Sequence, residues 1–193
     1  MRYMEPVSLT LAGIGGLALT EGVKFLYAEA QDLIKHWMDA KKSAGDSAAA
    51  LAPVQVEVEL PPAFAGQLQN PSANLAVIAK NEDRFEALTG ALGLYATGTK
   101  PIEPSDRKLL AKADELRGLL EEIFGQNLTF AGEERPATGT RILRGTVNVD
   151  VLHGTAAGVS TDTLADVTEG RATAREVTGS IFGVEVKAKP RDD

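Results

Sequence analysis

A chain of 193 residues can bury a real core, and its length suits one domain with an appendage or two small domains. A formal net charge of -7 with scattered Arg and Lys argues against nucleic acid as a partner, because phosphate binding needs a basic field. The absence of cysteine excludes disulfides, thiolate catalysis and Cys-ligated metal centres, and fits a reducing cytoplasm.

The chain opens with Arg2 before an uncharged apolar run from Pro6 to Thr20. Glu5 interrupts the basic region, and no small-x-small cleavage site precedes a plausible mature start, so the reading is against a secretory signal. The run is 15 residues long, short of the ~20 that a spanning helix needs. Within it, Gly13-x-Gly15-Gly16 could be a phosphate-cradling turn or part of a packed helix. Periodicity decides. Leu9, Ala12, Gly16, Leu19, Val23, Leu26, Ala30, Leu33 and Trp37 follow at alternating steps of three and four, and this seam runs through Gly16 without a break. One helix from about Pro6 to Asp39 is expected, ~50 Å long at ~1.5 Å per residue, with Pro6 in its first turn. Gly13, Gly15, Gly16 and Gly22 each cost roughly 1 kcal/mol of helix propensity relative to Ala. Close helix approach through Ala12-xxx-Gly16 and Ala18-xxx-Gly22 would compensate.

Residues 40–53 read as a flexible linker of small residues. Val54, Val56, Val58 and Leu60 then alternate with Gln55, Glu57 and Glu59, the pattern of a half-buried strand stopped by Pro61-Pro62. Asn70-Pro71 is expected to cap a second helix with the seam Leu75, Ile78, Phe85, Leu88, Leu92 and Tyr95, ending near Gly98. Ser105 is expected to start a third, with the seam Leu109, Ala113, Leu116, Leu120 and Ile123, and Gly125 as its stop. Residues 54–134 thus supply a strand and two helices that complete a small bundle with the helix of residues 1–39.

From Thr138 to about residue 189 the chain turns to short Val- and Thr-rich runs punctuated by glycine, which reads as β-structure. Residues 145–162 and 170–187 align without gaps at an offset of 25, sharing Gly145/Gly170, Gly154/Gly179, Gly158/Gly183 and Val159/Val184. Two copies with glycines at matched corners predict two stacked rungs, each strand beside its equivalent. Asp150 would then lie over Arg175 and Asp162 over Lys187, opposite charges that favour stacking by a few tenths of a kcal/mol. Two rungs leave two strand edges, which either template further copies, giving a homo-oligomer, or are covered by the helices in a small twisted β-module. The fold class expected is α+β: an N-terminal helical bundle with an ancillary strand, then a two-rung, β-solenoid-like module.

Chemistry is sparse. Gly13 to Ala18, "GIGGLA", fits a dinucleotide-binding fingerprint, but no second strand ends in an acidic residue about 20 positions on. His36 and His153 lack ligand-spaced partners. Asp32 could hydrogen-bond His36 along the helix. Glu82-Asp83 and Glu121-Glu122 read as solvated helix faces, and Trp37 as a core aromatic. No G-x-S-x-G or H-E-x-x-H occurs. The expectation is a non-enzyme with no catalytic residue, cofactor or metal.

The opening "MEPVSLTLAGIGGLALTEGVKFLY" resembles the N-termini of HeLo-like and bacterial Bell-type helical domains, which begin with a Pro-led, Gly-rich apolar helix. The resemblance covers Glu5 to about Tyr27 and the rest of the bundle in outline. It implies membrane-targeting cell death or bacterial defence, with a C-terminal amyloid-like signalling segment that in some members is a two-repeat β-solenoid. The strand at Val54 to Leu60 and the scarcity of Asn and Gln in the repeat depart from that pattern. Under this reading Leu9, Ala12, Gly16, Leu19, Val23, Leu26 and Trp37 form a helix-packing or membrane face, the protein is cytoplasmic, and it meets a membrane surface after assembly. A soluble adaptor or structural subunit that binds a protein partner through its helices and β-repeat is the alternative.

Overall fold

The computed structural model describes residues 15–44, 53–161 and 167–186. The chain is a mixture of helices and strands with a helical N-terminal region, and it divides into two compact units, residues 1–139 and 140–193.

The first unit is built on α1 (Gly16–Ala44), which continues five residues beyond the expected Asp39. The start of the expected helix, with Leu9 and Ala12, lies outside the described residues, as does most of the 40–53 linker. Leu19, Val23, Leu26, Ala30, Leu33 and Trp37 are all buried, so the three-and-four spacing does mark the core face. Gly22 lies on this face too, but what approaches it is an aromatic ring, not a second helix. A Cβ on Gly22 would fall inside the ring of Phe130, 2.6 Å from Cζ and 2.9 Å from Cδ1. Gly16 makes only an ordinary contact with Pro104.

The alternating Val54–Leu60 segment is paired for just two residues. β1 (Val54–Gln55) runs antiparallel to β2 (Ser72–Ala73), with Val54 opposite Ala73 and Gln55 opposite Ser72. Val56 still donates its N–H to Pro71 O at 3.1 Å, after which the two segments separate.

The expected second helix is two helices. α2 (Leu75–Lys80) starts later than Asn70 predicts, because Asn74 is the cap and its Oδ1 accepts from Ala76 N at 3.2 Å. Asn70 instead takes φ 45°, a left-handed conformation that Asn tolerates better than most residues. Asn81 divides α2 from α3 (Glu82–Ala96): its side chain donates back to Val77 O at 2.9 Å while its carbonyl accepts from Phe85 N, closing one helix and opening the next. α4 (Arg107–Phe124) is capped by Asp106, one residue after Ser105, with Oδ1 accepting from Lys108 N and Leu109 N at 2.9 and 3.1 Å. The Tyr95 hydroxyl donates to Asp106 Oδ2 at 2.9 Å and ties the end of α3 to this cap. Gly125 ends α4 at φ 64°, the left-handed stop its position predicts. Leu109, Ala113, Leu116, Leu120 and Ile123 of α4 join Phe85, Leu88 and Leu92 of α3 and the α1 seam in one core.

Residues 126–139 fold back over this core. Phe130 bridges to Phe64 and Thr138 to Gly66. Thr138 is buried here and belongs to the helical unit, so the second unit begins at residue 140. That unit holds β3 (Ile142–Thr161) and β4 (Val167–Val186), which pair in parallel from Ile142↔Val167 to Thr161↔Val186.

Candidate functional site

The longest ordered feature of the second unit is its register. Every β3–β4 pair is offset by 25 residues, the offset at which the two sequence copies align. Gly145 faces Gly170 and Gly154 faces Gly179. Gly158 and Gly183 lie between the flanking pairs Ala157↔Phe182 and Val159↔Val184. Asp150 and Arg175 share a level in the same way, between Val149↔Ala174 and Val151↔Glu176. A second opposed pair, Arg144↔Glu169, escaped the sequence reading because it lies just outside the repeat as aligned. Asp162 and Lys187 lie outside the described residues. Among the described residues this sheet has two strands, so each strand has one strand neighbour. Thr178, Ser180, Phe182 and Val184 of β4 are all exposed, and their spacing of two puts them on one face. Phe182, at 43% exposure, is a large apolar side chain displayed to solvent.

In the helical unit, the face proposed for packing or membranes is the core itself from Leu19 to Trp37, whereas Gly16, at the start of α1, is exposed. Leu19, Val23 and Leu26 are fully buried and Trp37 nearly so. Trp37 lies under the Lys41 ammonium, 5.2 Å from the ring centroid, and its indole N–H has no partner among the described residues. Lys41 also reaches Glu82 of α3 at 3.3 Å. The large apolar side chains that α1 does expose are Leu17 and Met38. Among the described residues, no helix is long and apolar enough to cross a membrane.

A buried ionic network was not foreseen. Arg117, on the inner face of α4, donates from Nη1 to both carboxylate oxygens of Glu133 at 2.7 Å and from Nη2 to Asp114. Glu133 is wholly buried and also accepts from Phe130 N at 2.7 Å. Glu121, expected on a solvated face, is buried instead: its Oε1 accepts from Leu128 N at 3.0 Å and from Arg135 Nη2 at 2.8 Å. Glu122, its neighbour, is the exposed one. The network fastens residues 126–139 to α4 and aims Phe130 at Gly22. Phe130 stacks on Phe64 at 4.6 Å, and Phe64 meets Phe25 edge-on at 5.0 Å. Spacing alone could not reveal it, since Glu133 and Arg135 fall in a segment without periodicity.

Asp32 pairs with Lys35 at 2.7 Å and not with His36, which is exposed beside it. His36, Glu29, Asp32, Lys35, Asp39, Val56 and Glu57 line an open hollow of about 310 Å³. Burial, and secondarily the charge of Asp32, pushes the Glu29 carboxyl up to about 7. The described residues contain no group of three or more His, Asp or Glu arranged to hold a metal ion. His153 lies in β3 opposite Thr178. Comparison of the chain with protein-family models, with curated proteins and with solved structures gives no match.

Proposed function

We propose that this protein is a non-enzymatic effector or signalling protein that self-associates through its C-terminal module and acts on membranes once clustered, in bacterial defence or programmed cell death. The observation that carries this reading is the parallel, 25-residue register of β3 on β4. In it the two strands are two rungs of a β-solenoid-like coil, turned at Gly145, Gly154 and Gly158 and at their counterparts Gly170, Gly179 and Gly183.

Chain length supports the coil. A straight 20-residue strand would span roughly 63 Å at ~3.3 Å per step. The six links from Thr161 to Val167 reach at most ~23 Å, and Val167 pairs with Ile142 at the other end of β3. A straight β3 would not suit that closure, which supports the reading of a strand that turns back toward its own start. Two stacked rungs present an outer edge on each side, and a further copy is the partner that fits both. Stacking β4 of one copy on β3 of the next keeps Arg144 levels alternating with Glu169 levels, and Asp150 with Arg175, however many copies join. Stacking like strand on like strand would oppose equal charges. Clustering then multiplies a weak membrane affinity of the N-terminal helix.

One observation favours a second reading. The described α1 seam is buried from Leu19 to Trp37, which suits a permanent adaptor or structural subunit whose helix never leaves the bundle. Dye release from anionic liposomes, titrated with the full chain while light scattering follows assembly, tests both. Release that begins only with assembly supports the clustered effector. Assembly without release moves the adaptor reading to first place, and a chain that stays monomeric at every concentration removes the self-association reading.

A further inference from the structure

The helical unit carries a second open strand edge. Beyond the short β1–β2 ladder, residues 56–60 and 67–71 diverge like the arms of a fork. Between them lies a groove of about 670 Å³ lined by Val56–Leu60, Gln67, Leu68 and Pro71. Among the described residues, the main-chain groups of Glu57, Val58, Glu59 and Leu60 make no main-chain hydrogen bond. Prolines 61 and 62 end the segment, so it cannot close the gap by extending its own ladder. Along this arm Val56, Val58 and Leu60 rest half-buried against the core, and the alternating Glu57 and Glu59 are exposed. The core contact holds the segment extended, and among the described residues no strand uses its hydrogen bonds.

Charge identifies the occupant. The smaller hollow adjoins the fork, because Val56 and Glu57 line both, and it adds Glu29, Asp32 and Asp39. The cations nearby are partly spoken for: Lys35 is paired with Asp32, and Lys42 reaches Asp39 at 3.8 Å. Burial, and secondarily the neighbouring Asp32 charge, raises the Glu29 carboxyl, so the rim's acidity rests on Glu57, Glu59, Asp32 and Asp39.

We propose that this fork is a docking site for an extended basic peptide segment of a protein partner, which adds a strand to Glu57–Leu60 and sets Lys or Arg side chains against Glu57 and Glu59. Strand addition supplies affinity through the main chain, and alternation supplies specificity: apolar side chains enter the groove beside Leu68 and basic ones face the acidic rim. The site belongs to the helical unit and does not depend on assembly of the β-module.

The test uses the full chain and a labelled heptapeptide of alternating lysine and valine, followed by fluorescence anisotropy and by amide hydrogen exchange. Saturable binding with slowed exchange at Glu57–Leu60 is expected. Reversing the rim with Glu57→Lys and Glu59→Lys should weaken binding about tenfold or more. Both side chains are exposed, so the fold should survive; Glu57→Gln with Glu59→Gln gives the same direction with less perturbation. A peptide of equal charge with proline at alternate positions should not bind, since it cannot pair as a strand. Equal binding of the proline peptide, protection elsewhere in the chain, or no binding would overturn the proposal. So would slow exchange at Glu57–Leu60 in the free chain, because the edge would then already be covered by the chain itself.

Discussion

Alanine at position 22 tests how α1 is seated. In an isolated helix Gly22→Ala would add about 1 kcal/mol of stability through propensity. In the folded chain the new methyl lands inside the Phe130 ring, with ring atoms at 2.6 and 2.9 Å. Phe130 cannot simply swing aside, because its main-chain N–H is held by Glu133 at 2.7 Å and its ring is stacked on Phe64. Overpacking of this severity belongs at the upper end of its usual range, about 3 kcal/mol, and loosening the aromatic pair adds about 1. The expected net effect is a loss of about 3 kcal/mol. Trp37 is the single tryptophan, is buried at 3% exposure and lies in the same unit, so its fluorescence in a urea titration reads this unit selectively. Phe130→Leu removes the colliding ring atoms, and Gly22→Ala in that background should be neutral or mildly stabilising, a coupling of about 2 kcal/mol or more. Equal losses in both backgrounds, or a stabilised Gly22→Ala in the intact chain, would refute the assignment of this glycine to the ring.

Three further outcomes follow from the geometry. Glu133→Ala should cost roughly 3 kcal/mol or more, since it uncouples the buried Arg117 guanidinium and frees Phe130 N–H, and the same fluorescence titration should place Glu133→Gln between it and the parent. Glu29 holds a proton in the folded chain between its ordinary 4.5 and about 7, where the unfolded chain has lost it. Its contribution to stability is therefore complete below pH 4.5 and disappears as the pH rises to 7; Glu29→Gln should flatten that part of a Tm-against-pH curve, and an unchanged slope counts against it. In the β-module, Arg175→Asp sets a second acid on the level of Asp150 and should slow assembly seen by light scattering, while adding Asp150→Arg should restore it. A double reversal that assembles no better than the single one would show that these residues do not share a level.

What the sequence made legible was whatever repeats along the chain. The α1 seam from Leu19 onward and the α4 seam are spelled out at helical spacing and are the buried faces, and the offset of 25 between the copies is the register of β3 on β4. Local chemistry that competes with a pattern was harder to see. Asn81 lies in an apparently continuous helical stretch and divides it, because its side chain satisfies the carbonyl of Val77. The Val54–Leu60 alternation correctly marks one face as apolar, yet alternation says nothing about whether a neighbour is present, and beyond Val56 none pairs with it among the described residues. Glu121 looked like one of a pair of surface acids. Its burial depends on Arg135 and Leu128, which arrive from a loop with no periodicity to announce it.

The constant register of the paired strands has a consequence for how this gene can change. Side chains alternate across a strand with a period of two, so one residue gained or lost in either copy would turn every later position of that copy to the opposite face. Gly154 would no longer meet Gly179, nor Val159 meet Val184. Away from the levels shared by opposite charges, substitutions can accumulate independently in the two copies, whereas a length change in one copy displaces the pairing of both. An insertion is tolerated when its counterpart appears 25 residues away, so the ancestry of this module should be recorded in matched pairs of length changes.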